Sequence, residues 1–386
     1  MASADINDKD LEAIADVVRS GRLALGPKVV EFEKKIADYI GIKHAIAVNS
    51  GTAALHLILK GLGLQKNQEV IVPSFTFAAS VNAILYEGGR PVFADIDPLT
   101  FNIDPADVES KITKNTWGVM VVDVFGYPAE WDALNSLAQR HRIKLVDDSC
   151  EALGAEYKGT KIGRFGEAAA FAFYPNKQIT TGEGGMIVTN QDSLSDALRS
   201  YRNQGRGESG QWLEHLRLGY NYRLNEMSAA LGCSQLNRIN ELLENRRRVA
   251  QLYNERLAEH PCLTVPRISD NVRMSWFVYV ITLNDGLDRG IFISELQKEN
   301  IPSRPYFSPI HRQPYYLSLF PNERWHLPVT EDISSRTVAL PFFGQMKASQ
   351  VDQVIKAIDK ISTRLSLKNA PYPANSKPKI VRLLSR

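Results

Sequence analysis

Between residues 44 and 188 short apolar runs alternate with stretches of helical spacing, and this alternation leaves the chain few architectures to choose from. The apolar runs are residues 44–48, 69–72, 91–95, 118–122, 143–146, 168–173 and 186–188; residues 52–61, 76–86, 104–111 and 129–140 carry helical patterns between them. Strands separated by helices of about ten residues cannot return as tight hairpins. The pattern therefore predicts an α/β fold with a mostly parallel central sheet and helices on both faces. In such sheets ligands sit beyond the carboxyl ends of the strands, so chemistry is sought in the loops there.

The flanking segments add to this frame. Residues 7–19 and 27–40 read as amphipathic helices joined by a loop with Gly21 and Gly26, free to approach a ligand or a partner subunit. After a helical pattern at 194–201 the chain turns polar through 203–211. One long helical pattern then covers 225–259 and includes Arg246, Arg247 and Arg248, read as a solvated basic face. Beyond Cys262 the pattern changes to a strand at 277–283, a helix at 291–300, a proline-rich loop at 302–316 and a closing helix at 349–367. This predicts a smaller C-terminal α+β domain, dividing the chain into residues 1–240 and 241–386.

A length of 386 residues suits two domains rather than one simple core. Forty-six basic against 43 acidic residues leave a net charge of +3, too little for a nucleic-acid or membrane-surface protein working by bulk charge. Cys150, Cys233 and Cys262 are too scattered for a disulfide framework or a zinc pattern, which fits a reduced compartment. Residues 1–5 lack a signal-peptide pattern and no apolar run nears the roughly 20 residues of a membrane span, so a cytoplasmic location is expected. The basic end, 377–386, reads as a solvated tail.

Three features carry chemistry. Lys177 lies in a Tyr-Pro-Asn-Lys turn after the run 168–173, and Gly182, Gly184 and Gly185 lead from it into the next strand. An amine at the edge of a sheet in a partly dry site loses its preference for the ammonium form and can form an imine with an aldehyde. Asn49-Ser50-Gly51-Thr52-Ala53-Ala54-Leu55 joins a strand to a helix; its amides and hydroxyls suit a phosphate, though a simple helix cap uses the same residues. Asp147 and Asp148 end a strand where a carboxylate could face a ring nitrogen, and a loop cap is the other reading; a metal site is less favoured without a His or Cys cluster. Together amine, acid and phosphate cup specify a pyridoxal phosphate enzyme far better than any one alone. No GxGxxG joins a strand to a helix, the string occurring only at residues 205–210 of the polar loop, and GxxxxGK[ST] does not occur, so dinucleotide and P-loop readings find no support.

Further ordered motifs accompany these: Gly26-Pro27-Lys28-Val29-Val30-Glu31-Phe32-Glu33, Pro73-Ser74-Phe75-Thr76-Phe77, Ala152-Leu153-Gly154-Ala155, Gly219-Tyr220-Asn221-Tyr222-Arg223 and Pro309-Ile310-His311. With them the chain resembles the DegT/DnrJ/EryC1/StrS family of sugar aminotransferases over nearly its whole length. The resemblance implies fold type I of the pyridoxal phosphate-dependent transferases, with Lys177 as Schiff-base lysine and proton shuttle and Asp148 at the pyridine nitrogen. It implies Phe77 stacked on the cofactor ring, Thr52 and Ala53 at the phosphate, and Asn221 reaching the phosphate of a neighbouring subunit, which makes the protein a homodimer with shared active sites. Arg223, Arg304, Tyr306 and His311 are expected on the substrate side. Two positions depart from the family: Ala172 stands where a phosphate-binding Ser is usual, and Glu151 stands near the ring hydroxyl where Gln or His is common. A subgroup that removes a sugar hydroxyl has His in place of the lysine, and Lys177 argues against it. The expected reaction moves an amino group from L-glutamate to a nucleotide-linked keto sugar, by family frequency a 4-keto-6-deoxyhexose, in surface-polysaccharide or secondary-metabolite amino sugar biosynthesis. A 3-keto sugar, a cyclitol ketone or a non-catalytic regulatory role are the alternatives.

Overall fold

The seven apolar runs become the seven strands of a central sheet in the computed structural model, which describes residues 3–207 and 214–368. Their spatial order is His44–Val48, Gly185–Thr189, Ala168–Ala172, Lys144–Asp148, Thr116–Val122, Glu69–Pro73, Arg90–Ala94. All run parallel except Gly185–Thr189, which is antiparallel to both neighbours. The reason is the connection: the parallel crossovers contain a helix or, over residues 149–167, a long excursion with two short strands, whereas residues 173–184 form a loop that folds straight back and carries Lys177.

Side chains alternate across each strand, and both faces are dry. Val70, Val72, Met120, Val146, Ala170 and Ile187 face the helices Gly51–Gly61, Ala78–Tyr86 and Asp192–Arg202. On the opposite face Ile71, Val119, Val121 and Leu145 meet Trp131 and Leu134, while Ala45, Ala47, Phe171 and Met186 meet Phe32 and Ile36 of Pro27–Ile40. A second sheet, antiparallel, has the order Leu263–Thr264, Tyr279–Leu283, Thr337–Leu340, Arg304–Pro305 and packs on the helices Ile239–Leu257, Arg289–Lys298 and Ala348–Lys368. The carboxyl group of Asp95, just past a central strand, accepts from the Val329 and Thr330 amides at 2.9 and 2.7 Å and so caps the helix Pro328–Arg336.

Several sequence expectations are corrected. The pattern over 225–259 is two helices, Glu226–Asn237 and Ile239–Leu257, broken at Arg238 (φ −118°, ψ 21°). No Gly or Pro marks the break; the Arg238 side chain is drawn instead to Asp5 and Asp10 at 2.8 and 3.1 Å, a pairing invisible to local pattern. The helix Pro328–Arg336, the strand Thr337–Leu340 and a small three-stranded sheet of 156–157, 160–161 and 272–273 were not expected. Residues 208–211 of the polar loop and the basic end 377–386 lie outside the described residues. No helix among the described residues is long and apolar enough to cross a membrane.

Strand alternation also separates the two aspartates. Asp148 shares the face of Val146, and Asp147 shares that of Leu145, where it meets Asp123 behind the site. The Asp123 carboxylate accepts from the Ala129 amide at 2.7 Å and the Trp131 indole at 3.3 Å, and the Ser149 hydroxyl lies 2.5 Å from Asp147 Oδ1 and 3.2 Å from Asp123 Oδ2. Burial pushes the Asp123 carboxyl up to about 7 and Asp147 well above the usual carboxylate range. Asp147 Oδ2 has no donor among the described residues, and with both carboxyls raised the two acids are expected to share one proton.

The pair's folded pKa values exceed their unfolded ones, so its contribution is present at low pH and is lost as pH rises from about 4 to about 7. The buried His56 and His311, which desolvation pulls down, act in the opposite direction, so the comparison is between proteins. Asp123→Asn is expected to flatten the decline in denaturation midpoint between pH 5 and pH 8 relative to wild type. Identical pH slopes for the two proteins would refute the shared proton.

Candidate active site

A cavity of about 520 Å³ opens beyond the carboxyl ends of the central strands, and Thr52, Phe77, Asp148, Glu151, Lys177 and Tyr306 all line it. Residues far apart in the chain, each singled out from the sequence, thus meet in one place.

Lys177 is set by its loop. Its amide donates to the Tyr174 carbonyl at 2.9 Å, the Thr181 amide returns to the Phe173 carbonyl at 3.0 Å, and Gly182 takes a left-handed turn at φ 80°. The side chain is only 12% exposed; Nζ stands 3.8 Å from the centroid of the Phe277 ring and 3.6 Å from Glu151 Oε1. The amine thus lies between an aromatic face and a carboxylate.

Asp148 is held for a ligand that presents a positive charge. Its Oδ2 accepts from the Ser80 hydroxyl at 2.6 Å and Oδ1 from the Cys150 amide at 3.2 Å. Since Ser80 spends its only proton on Asp148, the Thr76 hydroxyl, 2.8 Å away, donates to Ser80. Glu151 Oε2 accepts from the Phe125 amide at 2.9 Å, with Phe125 itself left-handed at φ 59°. Burial raises the Glu151 pKa, and Lys177 draws it back down. The carboxyl at this departure from the family is therefore committed to the Phe125 amide and the lysine.

At the start of Gly51–Gly61 the Ser50 hydroxyl accepts from the Ala53 amide at 3.1 Å, so Ser50 caps the helix, while Gly51 and Thr52 line the cavity. A Cβ at Gly51 would lie 2.8 Å from both the Ala172 Cβ and the Cys150 Sγ, so backbone alone fits between helix start and strand end. Ala53 is buried behind this point. Asn221 is exposed, in a bridge with Asn203, and the Arg223 guanidinium donates to Asn203 Oδ1 at 2.9 Å; neither lines the cavity. Arg304 is exposed and donates to the Ser303 carbonyl at 3.0 Å. His311 is buried between the Ser74 hydroxyl at 2.7 Å and Glu331 at 3.3 Å.

Sequence reasoning missed Ser80, Phe277 and Phe307. The Thr76–Ser80 spacing at a helix start was the available signal for Ser80; Phe277 and Phe307 come from the second sheet's neighbourhood and carry none. The set fits pyridoxal phosphate: a buried amine, an acid whose oxygens are held by a hydroxyl and an amide, a helix start with room only for glycine, and aromatic walls.

The family model of the DegT/DnrJ/EryC1/StrS aminotransferases matches residues 4–359. A GDP-perosamine synthase of Caulobacter vibrioides is 40% identical over 341 residues, 88% of this chain and 91% of that protein. The spore coat polysaccharide biosynthesis protein SpsC of Bacillus subtilis is 36% identical over 369 residues, 92% and 95% of the two chains. Among solved structures, Helicobacter pylori PseC, an aminotransferase involved in the biosynthesis of pseudoaminic acid, superposes with a TM-score of 0.89 at 29% identity, covering 93% of this chain and 97% of its own. The expected fold type I is therefore the observed one. With the lysine, the acid and the helix start gathered at one cavity, the chain belongs to the DegT/DnrJ/EryC1/StrS family and is a pyridoxal phosphate-dependent sugar aminotransferase.

Proposed function

We propose that this enzyme transfers the amino group of L-glutamate to a nucleotide-linked 4-keto-6-deoxyhexose. The observation that carries this is the placement of the Lys177 amine and the Asp148 carboxylate in one aromatic-walled cavity open to solvent. The relative named GDP-perosamine synthase supports a nucleotide sugar as the acceptor.

When bound, pyridoxal phosphate supplies an electron sink that makes a carbon–hydrogen bond beside nitrogen acidic. The chain's own groups do the rest. Lys177 is the residue that would hold the cofactor, and its Nζ would take the proton from the donor's α-carbon and return it as general base and acid. Asp148, fixed by Ser80 and the Cys150 amide, would hold a proton on the ring nitrogen. Glu151, 3.6 Å from Nζ, balances the charge when the amine carries the proton. Gly51 and Thr52 would hold the phosphate at the helix start, with Ala53 packed behind them and its amide tied to Ser50, and Phe77 would cover the ring. Tyr306, on the cavity wall, would meet the sugar or nucleotide; Arg304, two residues before it, and Arg223 would reach that side only from outside the cavity, and His311, tied to Ser74, would act only as support.

The reading includes a homodimer. Phe77 is 65% exposed although it belongs to the cavity wall, Tyr174 beside Lys177 is exposed as well, and Asn221 points outward. A second copy covering this face would bury both rings and bring its Asn221 to the phosphate. A division near residue 240 is supported by the separate buried cluster of residues 249–361, and a cytoplasmic location by three free cysteines.

Lys177→Ala is expected to abolish amino transfer and to leave no borohydride-trapped adduct in the peptide containing position 177; transfer at wild-type rate would sink the assignment. Ser80→Ala is expected to weaken pyridoxal phosphate retention roughly tenfold through loss of a hydrogen bond to a charged group, read by equilibrium dialysis. Presented side by side with 4-keto and 3-keto nucleotide sugars, the enzyme should aminate the former; product from the 3-keto sugar alone would overturn the ring position.

A further inference from the structure

The triplet Arg246-Arg247-Arg248 is not one solvated face. Arg247 is exposed and pairs with Glu244 at 2.7 Å, and Arg248 donates to the Gly344 and Met346 carbonyls at 3.2 and 2.9 Å. Arg246 is 6% exposed, and its guanidinium ends among four main-chain carbonyls. Nη1 donates to Trp276 and Phe277 at 3.2 Å each; Nη2 donates to Asn176 at 3.0 Å and Lys177 at 2.6 Å. No carboxylate is paired with it among the described residues, and burial pulls its pKa down to about 10. A buried cation without a counter-ion is costly, so the site must gain from what only a planar fork of five donors can do.

The four carbonyls belong to two segments a hundred residues apart. One carries the amine, and the other carries the ring on which the amine rests at 3.8 Å. A second strut runs alongside: the Gln178 side-chain amide donates to the Glu151 carbonyl at 2.6 Å and to the Ser275 hydroxyl at 2.9 Å. We propose that Arg246 is a positioning residue for Lys177: one guanidinium locks the main chain of the lysine to the main chain of Phe277 and so fixes where Nζ stands. This rests on Lys177 being the reacting amine.

The test uses full-length Arg246→Met and Arg246→Lys, first without cofactor. Amide hydrogen exchange is expected to speed up together in peptides covering 174–181 and 274–279 while the peptide of Lys144–Asp148 is unchanged, and the pH midpoint for acylation of Lys177, read by mass spectrometry, is expected to shift from wild type. With cofactor, kcat should fall about tenfold to a hundredfold with a smaller change in KM for glutamate, and Arg246→Lys should recover part of it. Should Arg246→Met fail to fold, Arg246→Lys carries the same measurements. Unchanged exchange in both segments, or an unchanged midpoint in a folded variant, overturns the inference. Loss of the trapped adduct at Lys177 in wild type would instead overturn the assignment of the lysine itself, so the two failures are told apart.

Discussion

The strict two-residue alternation of one strand governs this active site. Along Lys144–Asp148, Leu145 and Asp147 belong to one face of the sheet and Val146 and Asp148 to the other. A slip of one residue would send the ligand-facing acid into the packed layer of Trp131 and turn its neighbour toward the cavity. The apolar side chains upstream therefore decide which aspartate faces the cavity. The parallel neighbours Thr116–Val122 and Ala168–Ala172 hold that register from both sides, and the Asp123 amide donates to the Asp148 carbonyl at 3.2 Å just where the strand gives out.

Around this strand the protein tolerates an unusual concentration of buried polar groups. Asp123, Asp147, Glu151 and Arg246 each lose hydration and are compensated in three ways: the two aspartates by the Ser149 hydroxyl between them, Glu151 by the Phe125 amide and the nearby lysine, and Arg246 by a ring of carbonyls. Such groups contribute little to net stability. They do impose directionality, because a hydrogen bond has one good geometry whereas apolar packing has many.

The central sheet was legible because its strands are buried on both faces and read as unbroken apolar runs, with boundaries off by only a residue or two. Lys177 and Asp148 were legible because each stands at a strand end beside turn-forming residues. Ser80, Phe277 and the break at Arg238 were not, since each is defined by a partner distant in the chain. Arg246 misled for a related reason: three consecutive arginines on a helix look alike, and only the fold gives one of them four carbonyls. Arg304 and His311, picked out by motif, stand away from the cavity wall and illustrate the converse, that neighbourhood in sequence does not ensure neighbourhood in space.

The reversed strand Gly185–Thr189 also has a bearing on biosynthesis. Among the described residues the strand His44–Val48 has it as its one neighbour in the sheet, and the helix Pro27–Ile40 is capped by Glu226, whose carboxylate accepts from the Lys28 and Val29 amides at 2.7 and 3.1 Å. Both contacts join segments more than a hundred residues apart in the sequence, and during synthesis and refolding alike such contacts cost loop closure before they reward it.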